Sequence, residues 1–256
     1  MALDSFRLDG RTALVTGASS GLGRHFAQVL AAAGATVILA ARRRERLEAL
    51  AQEIADAGGT AHCVDLDVAD SASVDRAFAE IDELGTGLDI VVNNAGIARG
   101  GFAAELSEAD WDAVIDTNLK GVFLVAKAAT RRMIERGKGG SIVNIASVLG
   151  YRVAKALSPY IAAKSAVVKF TQALALENCR YGIRVNSIAP GYFSTEINQG
   201  FLETEAGQKN IRQVPMRRAG KYEELSGALL LLASDAGSYM TGSNITVDGG
   251  HLCSSL

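Results

Sequence analysis

Arg11-Thr-Ala-Leu-Val-Thr-Gly17-Ala-Ser-Ser-Gly21-Leu-Gly23 runs directly into Arg24-His-Phe-Ala-Gln-Val-Leu-Ala-Ala-Ala-Gly34. The first residues are a short apolar, partly β-branched run that stops at a glycine, which reads as a buried strand. The residues after Gly23 have the pattern of a helix. A strand that turns through glycines into a helix aims backbone N–H groups at one point, where the helix dipole adds positive potential. A phosphate suits that point. Gly17 serves the tight turn, Gly21 the close approach of a pyrophosphate, and Gly23 the packing of helix on strand. The spacing is Gly-x-x-x-Gly-x-Gly. It matches neither Gly-x-Gly-x-x-Gly nor the Gly-x-x-x-x-Gly-Lys-Ser/Thr of a phosphorylating P-loop, which is therefore disfavoured.

Working outward, six more strands are expected. They are Ala35–Ala41, Ala61–Val68, Leu88–Gly96, the run Ser141-Ile-Val-Asn-Ile-Ala-Ser147, Gly182–Gly191 with its turn, and Asn244–Gly250. Helical patterns lie between them, including a long one that starts at Leu106 with a capping signature, Ser107 and Asp110, and runs to Arg136. Strands alternating with helices imply parallel crossovers. The predicted fold class is α/β, a doubly wound Rossmann-type three-layer sandwich with a parallel sheet of about seven strands. No linker or internal repeat divides the chain, so residues 1–256 read as a single dinucleotide-binding and catalytic domain. The polar, glycine-interrupted segment at about 192–218 reads as a substrate lid.

The bulk composition excludes several classes. A formal net charge of -2 gives no broad attraction to nucleic acid or to an anionic membrane. No apolar run reaches spanning length, and Met1-Ala-Leu-Asp-Ser-Phe-Arg7 lacks a leader pattern. Cys63, Cys179 and Cys253 have no paired spacing, which fits a reducing cytoplasm. The scattered histidines His25, His62 and His251, without Cys-x-x-Cys, argue for no metal site.

The strand ends carry the chemistry. At the end of the second strand a carboxylate would accept from the 2′-hydroxyl of NAD. Here Ala41 leaves the place uncharged and Arg42-Arg43-Arg44 follows. This predicts NADP(H) over NAD, with Arg42 the best-placed partner of the 2′-phosphate. Asp67 can accept from the adenine amino group, and Val68 offers an amide. Ser147 ends its strand where its hydroxyl can meet a substrate oxygen. Pro159 suits the first turn of a helix, on which Tyr160 and Lys164 lie one turn apart. A free phenol has a pKa near ~10, and an adjacent ammonium lowers it. Asn118 interrupts an apolar helical pattern and is a candidate relay, since a buried amide needs partners or a water. Tyr-x-x-x-Lys alone is a common spacing; the weight comes from its place among the other strand-end residues.

Taken together and in this order, Thr16–Gly23, Asn93-Asn94-Ala95-Gly96, Asn118, Ser147, Tyr160-Ile-Ala-Ala-Lys164 and Pro190-Gly191 with Thr195 resemble the short-chain dehydrogenase/reductase family over about Gly10 to Gly250. The resemblance, to 3-oxoacyl-thioester reductases and related ketoreductases, implies a nicotinamide cofactor and a catalytic set of Asn118, Ser147, Tyr160 and Lys164. It implies a dinucleotide held by Gly17, Ser19, Ser20, Gly21, Leu22 and Gly23, by Arg42, Asp67 and Val68, and by Asn94, Ala95 and Gly96. It extends that set to Tyr160, Lys164, Pro190, Gly191, Phe193 and Thr195. Ser20 stands where some NADP-preferring members carry a second basic residue. The resemblance further implies a homotetramer or homodimer acting on a small-molecule carbonyl or alcohol substrate. Expected pocket-wall residues are Arg99, Phe102, Leu149, Tyr151, Arg152, Tyr192 and Phe193. The alternatives are a catalytically silent dinucleotide-binding sensor and a lyase or epimerase on the same fold.

Overall fold

Neighbouring residues of the first strand are buried on opposite sides of the sheet. In a computed structural model of the chain, Ala13 and Val15 join a core with Phe26, Leu50 and Leu229, while Leu14 joins another with Phe78, Val125 and Met133. A strand covered on both faces must be apolar throughout, which is why these runs do not alternate. The structure describes residues 3–196 and 198–253. The outermost residues of the expected 1–256 domain, and Ile197 within the expected lid, lie outside the described residues.

The strands are β1 (Thr12–Thr16), β2 (Thr36–Ala41), β3 (Thr60–Asp65), β4 (Ile90–Asn93), β5 (Gly140–Ile145), β6 (Ile183–Pro190) and β7 (Asn244–Val247). They form one seven-stranded sheet in the order β3-β2-β1-β4-β5-β6-β7, and every pairing is parallel. The chain builds outward from β1 to β3, then returns to β4 and builds the other way. The reversal leaves a crevice at the carboxyl ends of β1 and β4. Helices α1 (Gly21–Ala32), α2 (Arg44–Asp56) and, later in the chain, the helix Ser226–Ala233 cover one face. Helix α3 (Ser71–Glu83) and two longer helical segments cover the other.

The first of those segments departs from the expected regular helix between Leu106 and Arg136. It begins as α4 (Glu108–Ile115), widens into a π-helical turn over Asp116–Lys120, and continues as α5 (Gly121–Arg136). Its start is as expected: the Ser107 hydroxyl accepts from the Asp110 N–H at 3.1 Å. The wide turn is where Asn118 points inward, and it is fully buried. Such turns insert one residue into an otherwise regular helix.

The second segment, α6 (Ser158–Asn178), has Pro159 in its first turn. A buried polar chain sets its position on the sheet. Asn93 Nδ2 donates to Asn144 Oδ1 at 2.9 Å, Asn144 Nδ2 to Thr171 Oγ1 at 2.9 Å, and Thr171 Oγ1 to the Val167 carbonyl at 2.8 Å. Buried polar groups without partners are costly, so this chain favours one placement of α6 against β4 and β5. The expected lid is more regular than its sequence suggests. It contains α7 (Gln199–Leu202) and α8 (Glu205–Gln213), and Leu202, Ile211 and Val214 are buried. The Ser226–Ala233 helix follows as α9.

Candidate active site

The crevice holds a cavity of about 450 Å³ beneath the glycine turn. Gly17 has φ +67°, and a Cβ there would lie 2.9 Å from the Ala95 Cα. Gly23 is closer still: a Cβ would lie 2.3 Å from the Gly17 carbonyl oxygen and 2.4 Å from Asn94 Nδ2. Asn94 ties the two halves of the crevice together. Its Nδ2 donates to the Thr16 carbonyl at 3.0 Å, and its own N–H, like that of Ala95, donates to Thr16 Oγ1 at 3.0 Å. Ser20, at the N-cap of α1, gives no side-chain cap. Its hydroxyl accepts from Arg43 Nη2 at 2.7 Å instead. The first-turn amides of α1 are therefore left for an anion, so the cradle fits a pyrophosphate.

Every residue expected to hold the cofactor lines this cavity except Gly23, whose part is the close packing just described. Of the three consecutive arginines, Arg42 and Arg43 line it and Arg44 does not. Arg42 is exposed, with Nη1 3.6 Å from Asp67 Oδ2. Arg43, which the sequence did not single out, is the better-held of the two. Its Nε and Nη2 donate to Ser19 Oγ at 3.1 and 2.9 Å, and its Nη1 to Glu196 Oε2 at 3.0 Å. The Thr195 hydroxyl and N–H both donate to Asn198 Oδ1, at 3.2 and 2.9 Å.

Ser147, Tyr160 and Lys164 share the same cavity. Ser147 Oγ accepts from the Leu149 N–H at 3.1 Å, which leaves the hydroxyl proton to be donated elsewhere. Lys164 is only 4% exposed; its Nζ donates to the Ile145 carbonyl at 2.7 Å and sits 5.6 Å from the centre of the Tyr160 ring. Burial lowers the Lys164 ammonium to about 8. The lowering of the Tyr160 phenol expected from the adjacent ammonium meets an opposing effect. Burial raises the phenol above its ordinary value, and a hydrogen bond with Ser147 draws it back. The cause is geometric: Lys164 spends its short contact on Ile145, and desolvation disfavours the phenolate.

Asn118 does not line the cavity; Thr117 does. Asn118 Oδ1 accepts from the Ile97 N–H and its Nδ2 donates to the Ile97 carbonyl, both at 2.8 Å. Its side chain thereby anchors the loop that follows β4. Truncation would leave both Ile97 groups without these partners, at about 1–3 kcal/mol for an unpaired buried group. Asn118→Ala is expected to lose about 2–4 kcal/mol in urea unfolding. A loss under about 0.5 kcal/mol, the range of an uninvolved surface change, would show that the anchor is dispensable.

Comparison with known proteins agrees with this geometry. Residues 17–251 match a family model described as enoyl-(acyl carrier protein) reductase. The chain is 40% identical over 245 residues to the 3-oxoacyl-[acyl-carrier-protein] reductase of Aquifex aeolicus, covering 95% of this chain and 98% of the relative. It is 40% identical over 248 residues to the gluconate 5-dehydrogenase of Gluconobacter oxydans, covering 96% of each. A crystal structure of a gluconate 5-dehydrogenase from Burkholderia cenocepacia, in complex with NADP and tartrate, superposes with a TM-score of 0.96 at 40% identity and full coverage of both chains. The chain belongs to the short-chain dehydrogenase/reductase family.

As an oxidoreductase of that family, it departs from the sequence reading at the pocket wall. Of the expected wall residues only Phe193 lines the cavity. Phe102 is 60% and Tyr151 50% exposed. Arg99 pairs with Asp110 at 2.8 Å. Arg152 donates to the His251 carbonyl at 2.5 Å, and Tyr192 stacks on His251 at 5.4 Å between ring centres. Leu149 gives its N–H to Ser147. Among the described residues, no group of three or more His, Cys, Asp or Glu could hold a metal ion. No helix among them is long and apolar enough to cross a membrane.

Proposed function

We propose that this chain is an NADP(H)-dependent oxidoreductase that interconverts a carbonyl compound and a secondary alcohol, with Tyr160 as general acid and base. One observation carries the reading: Ser147, Tyr160 and Lys164 stand in the same cavity as the glycine turn and the first-turn amides of α1. Bound there, a nicotinamide supplies hydride to the carbonyl carbon or takes it from the alcohol. The Tyr160 hydroxyl donates its proton to the carbonyl oxygen in reduction and, as phenolate, removes it in oxidation. Ser147 donates a second hydrogen bond to that oxygen, because its own acceptor site is filled by Leu149. Lys164 places a positive charge beside the Tyr160 ring, where it favours phenolate against the opposing effect of burial. Asn118 acts as a positioning residue through Ile97.

The substrate is a small molecule that meets Tyr160 and Ser147 beneath the lid at 192–218. The names of the relatives nominate 3-oxoacyl thioesters and gluconate. We place the enzyme in the cytoplasm, with no nucleic-acid or membrane partner, and read it as a homotetramer or homodimer. The exposed apolar side chains of Trp111, Phe123 and Leu176 on α4, α5 and α6 support assembly.

The test is a panel of carbonyl and alcohol substrates run with NADPH and NADH in parallel. The higher kcat/KM is expected with NADPH. The Arg42→Ala, Arg43→Ala double variant should lose about ten- to a hundredfold in NADPH affinity, the worth of charge-assisted contacts to phosphate, while NADH affinity stays within about twofold. A higher kcat/KM with NADH would end the cofactor assignment.

A further inference from the structure

Glu196 lies one residue beyond Thr195, at the start of the lid, yet its carboxylate rests on two arginines from the other side of the crevice. Arg43 Nη1 donates to Glu196 Oε2 at 3.0 Å, and Arg46 Nη1 to Oε1 at 2.6 Å. The remaining nitrogens of Arg43 are fixed on Ser19 and Ser20. Glu196, Arg43, Arg42, Ser19 and Ser20 all line the cavity, and the arginines leave the end of β2, where the adenosine ribose is expected. The protein thus already holds an anion between guanidinium groups at the place where an adenosine 2′-phosphate would seek them.

We propose that Glu196 competes with the 2′-phosphate of NADP(H) for Arg43, and so sets how strongly the enzyme separates NADP(H) from NAD(H). The inference rests on the NADP(H) reading of the same cavity. A phosphate brings three strong acceptor oxygens and more than one negative charge, so it outbids a carboxylate for a guanidinium. The carboxylate must then leave, or stay as a like charge beside the phosphate; either outcome weakens binding. The displacement is feasible because Arg43, Arg46 and Glu196 are all about half exposed, and ion pairs of that kind contribute little. NAD(H) carries no 2′-phosphate and leaves the contact in place. Since Thr195 Cβ would lie 3.7 Å from a Cβ on Gly21, the start of the lid packs on the glycine turn, and Glu196 extends that closure to α2. NADP(H) would undo this outer part of the closure, and NAD(H) would not.

The experiment is fluorescence titration of NADPH and NADH against the full chain, Glu196→Gln and Glu196→Ala. Both variants are expected to bind NADPH about three- to tenfold more tightly, the range expected from releasing two exposed ion pairs, with NADH affinity within about twofold. Unchanged or weaker NADPH binding in both variants would overturn the competition and make Glu196 a support for Arg43. Equal tightening of NADPH and NADH would overturn it too, since the effect would not depend on the 2′-phosphate. A wild-type chain that binds NADH more tightly than NADPH would count against the cofactor reading, whereas selective tightening of NADPH in the variants would still uphold the competition.

Discussion

Tyr160→Phe should lower kcat/KM for carbonyl reduction about a thousandfold, within the range that a positioned general acid contributes. The same variant should bind NADPH within about twofold of the parent, because phenylalanine keeps the ring beside Lys164 and removes only the hydroxyl. Ser147 would still donate to the substrate oxygen but has no proton to surrender at ordinary pH. Alcohol oxidation gives a second check. The parent should speed up as pH rises and the buried phenol loses its proton, and the variant should lose that dependence. Stopped-flow absorbance at the dihydronicotinamide band measures both. A loss of less than tenfold would move the proton donor elsewhere. Equal inertness of parent and variant, with tight NADPH binding, would favour the dinucleotide-sensor alternative.

Gly23→Ala should disable the cofactor cradle as a whole. A Cβ at that position meets the Gly17 carbonyl oxygen at 2.3 Å and Asn94 Nδ2 at 2.4 Å. Neither atom is the free end of a flexible side chain. The first belongs to the backbone of the turn, and the second is held by the Thr16 carbonyl. The helix must therefore move off the strand, spoiling the direction of its first-turn amides. Overpacking of this kind costs about 1–3 kcal/mol, which lowers Tm by about 2–12 °C in a domain of this size. NADPH affinity should fall by at least about tenfold, as the loss of one or more charge-assisted hydrogen bonds requires. Calorimetry and titration read the two effects separately. An unshifted Tm would mean that the turn has slack not apparent in its contacts.

The parts of this architecture that follow from periodicity were legible in the sequence. Runs such as Ala13–Val15 and Ile90–Val92 are apolar on both faces because helices cover both faces, and the interleaved helical patterns dictate the parallel order. Tyr160 and Lys164 were legible for the same reason, since i and i+4 on a helix meet whatever surrounds them. Residues whose direction is set by a turn were not. Three consecutive arginines leave β2, and only the backbone at Arg43, with φ -96° and ψ 81°, brings that guanidinium onto Ser19 and Ser20. Glu196 reached the cavity unannounced because its partners lie some 150 residues away. The expected wall residues, Phe193 apart, lie outside the cavity, several of them where the chain is irregular. Arg99, Phe102 and Tyr151 sit in loops whose side chains turn to solvent or to a neighbour such as Asp110. Asn118 was rightly suspected as a buried polar group, but no pattern names Ile97 as its partner.

The widened turn at Asp116–Lys120 makes this helix tolerant of a one-residue change in length in a way that its composition conceals. Deleting any one residue there would restore uniform winding, and by helical propensity alone it would look harmless. It would leave everything downstream in phase, because the wide turn absorbs its extra residue, and would cost instead the inward placement of Asn118 against Ile97. Val125, Ala129 and Met133, fully buried, would keep their places on the sheet. Substitutions in this stretch test individual contacts; a one-residue deletion would remove the widening itself, and so separate the packing of this layer from the anchoring of the loop after β4.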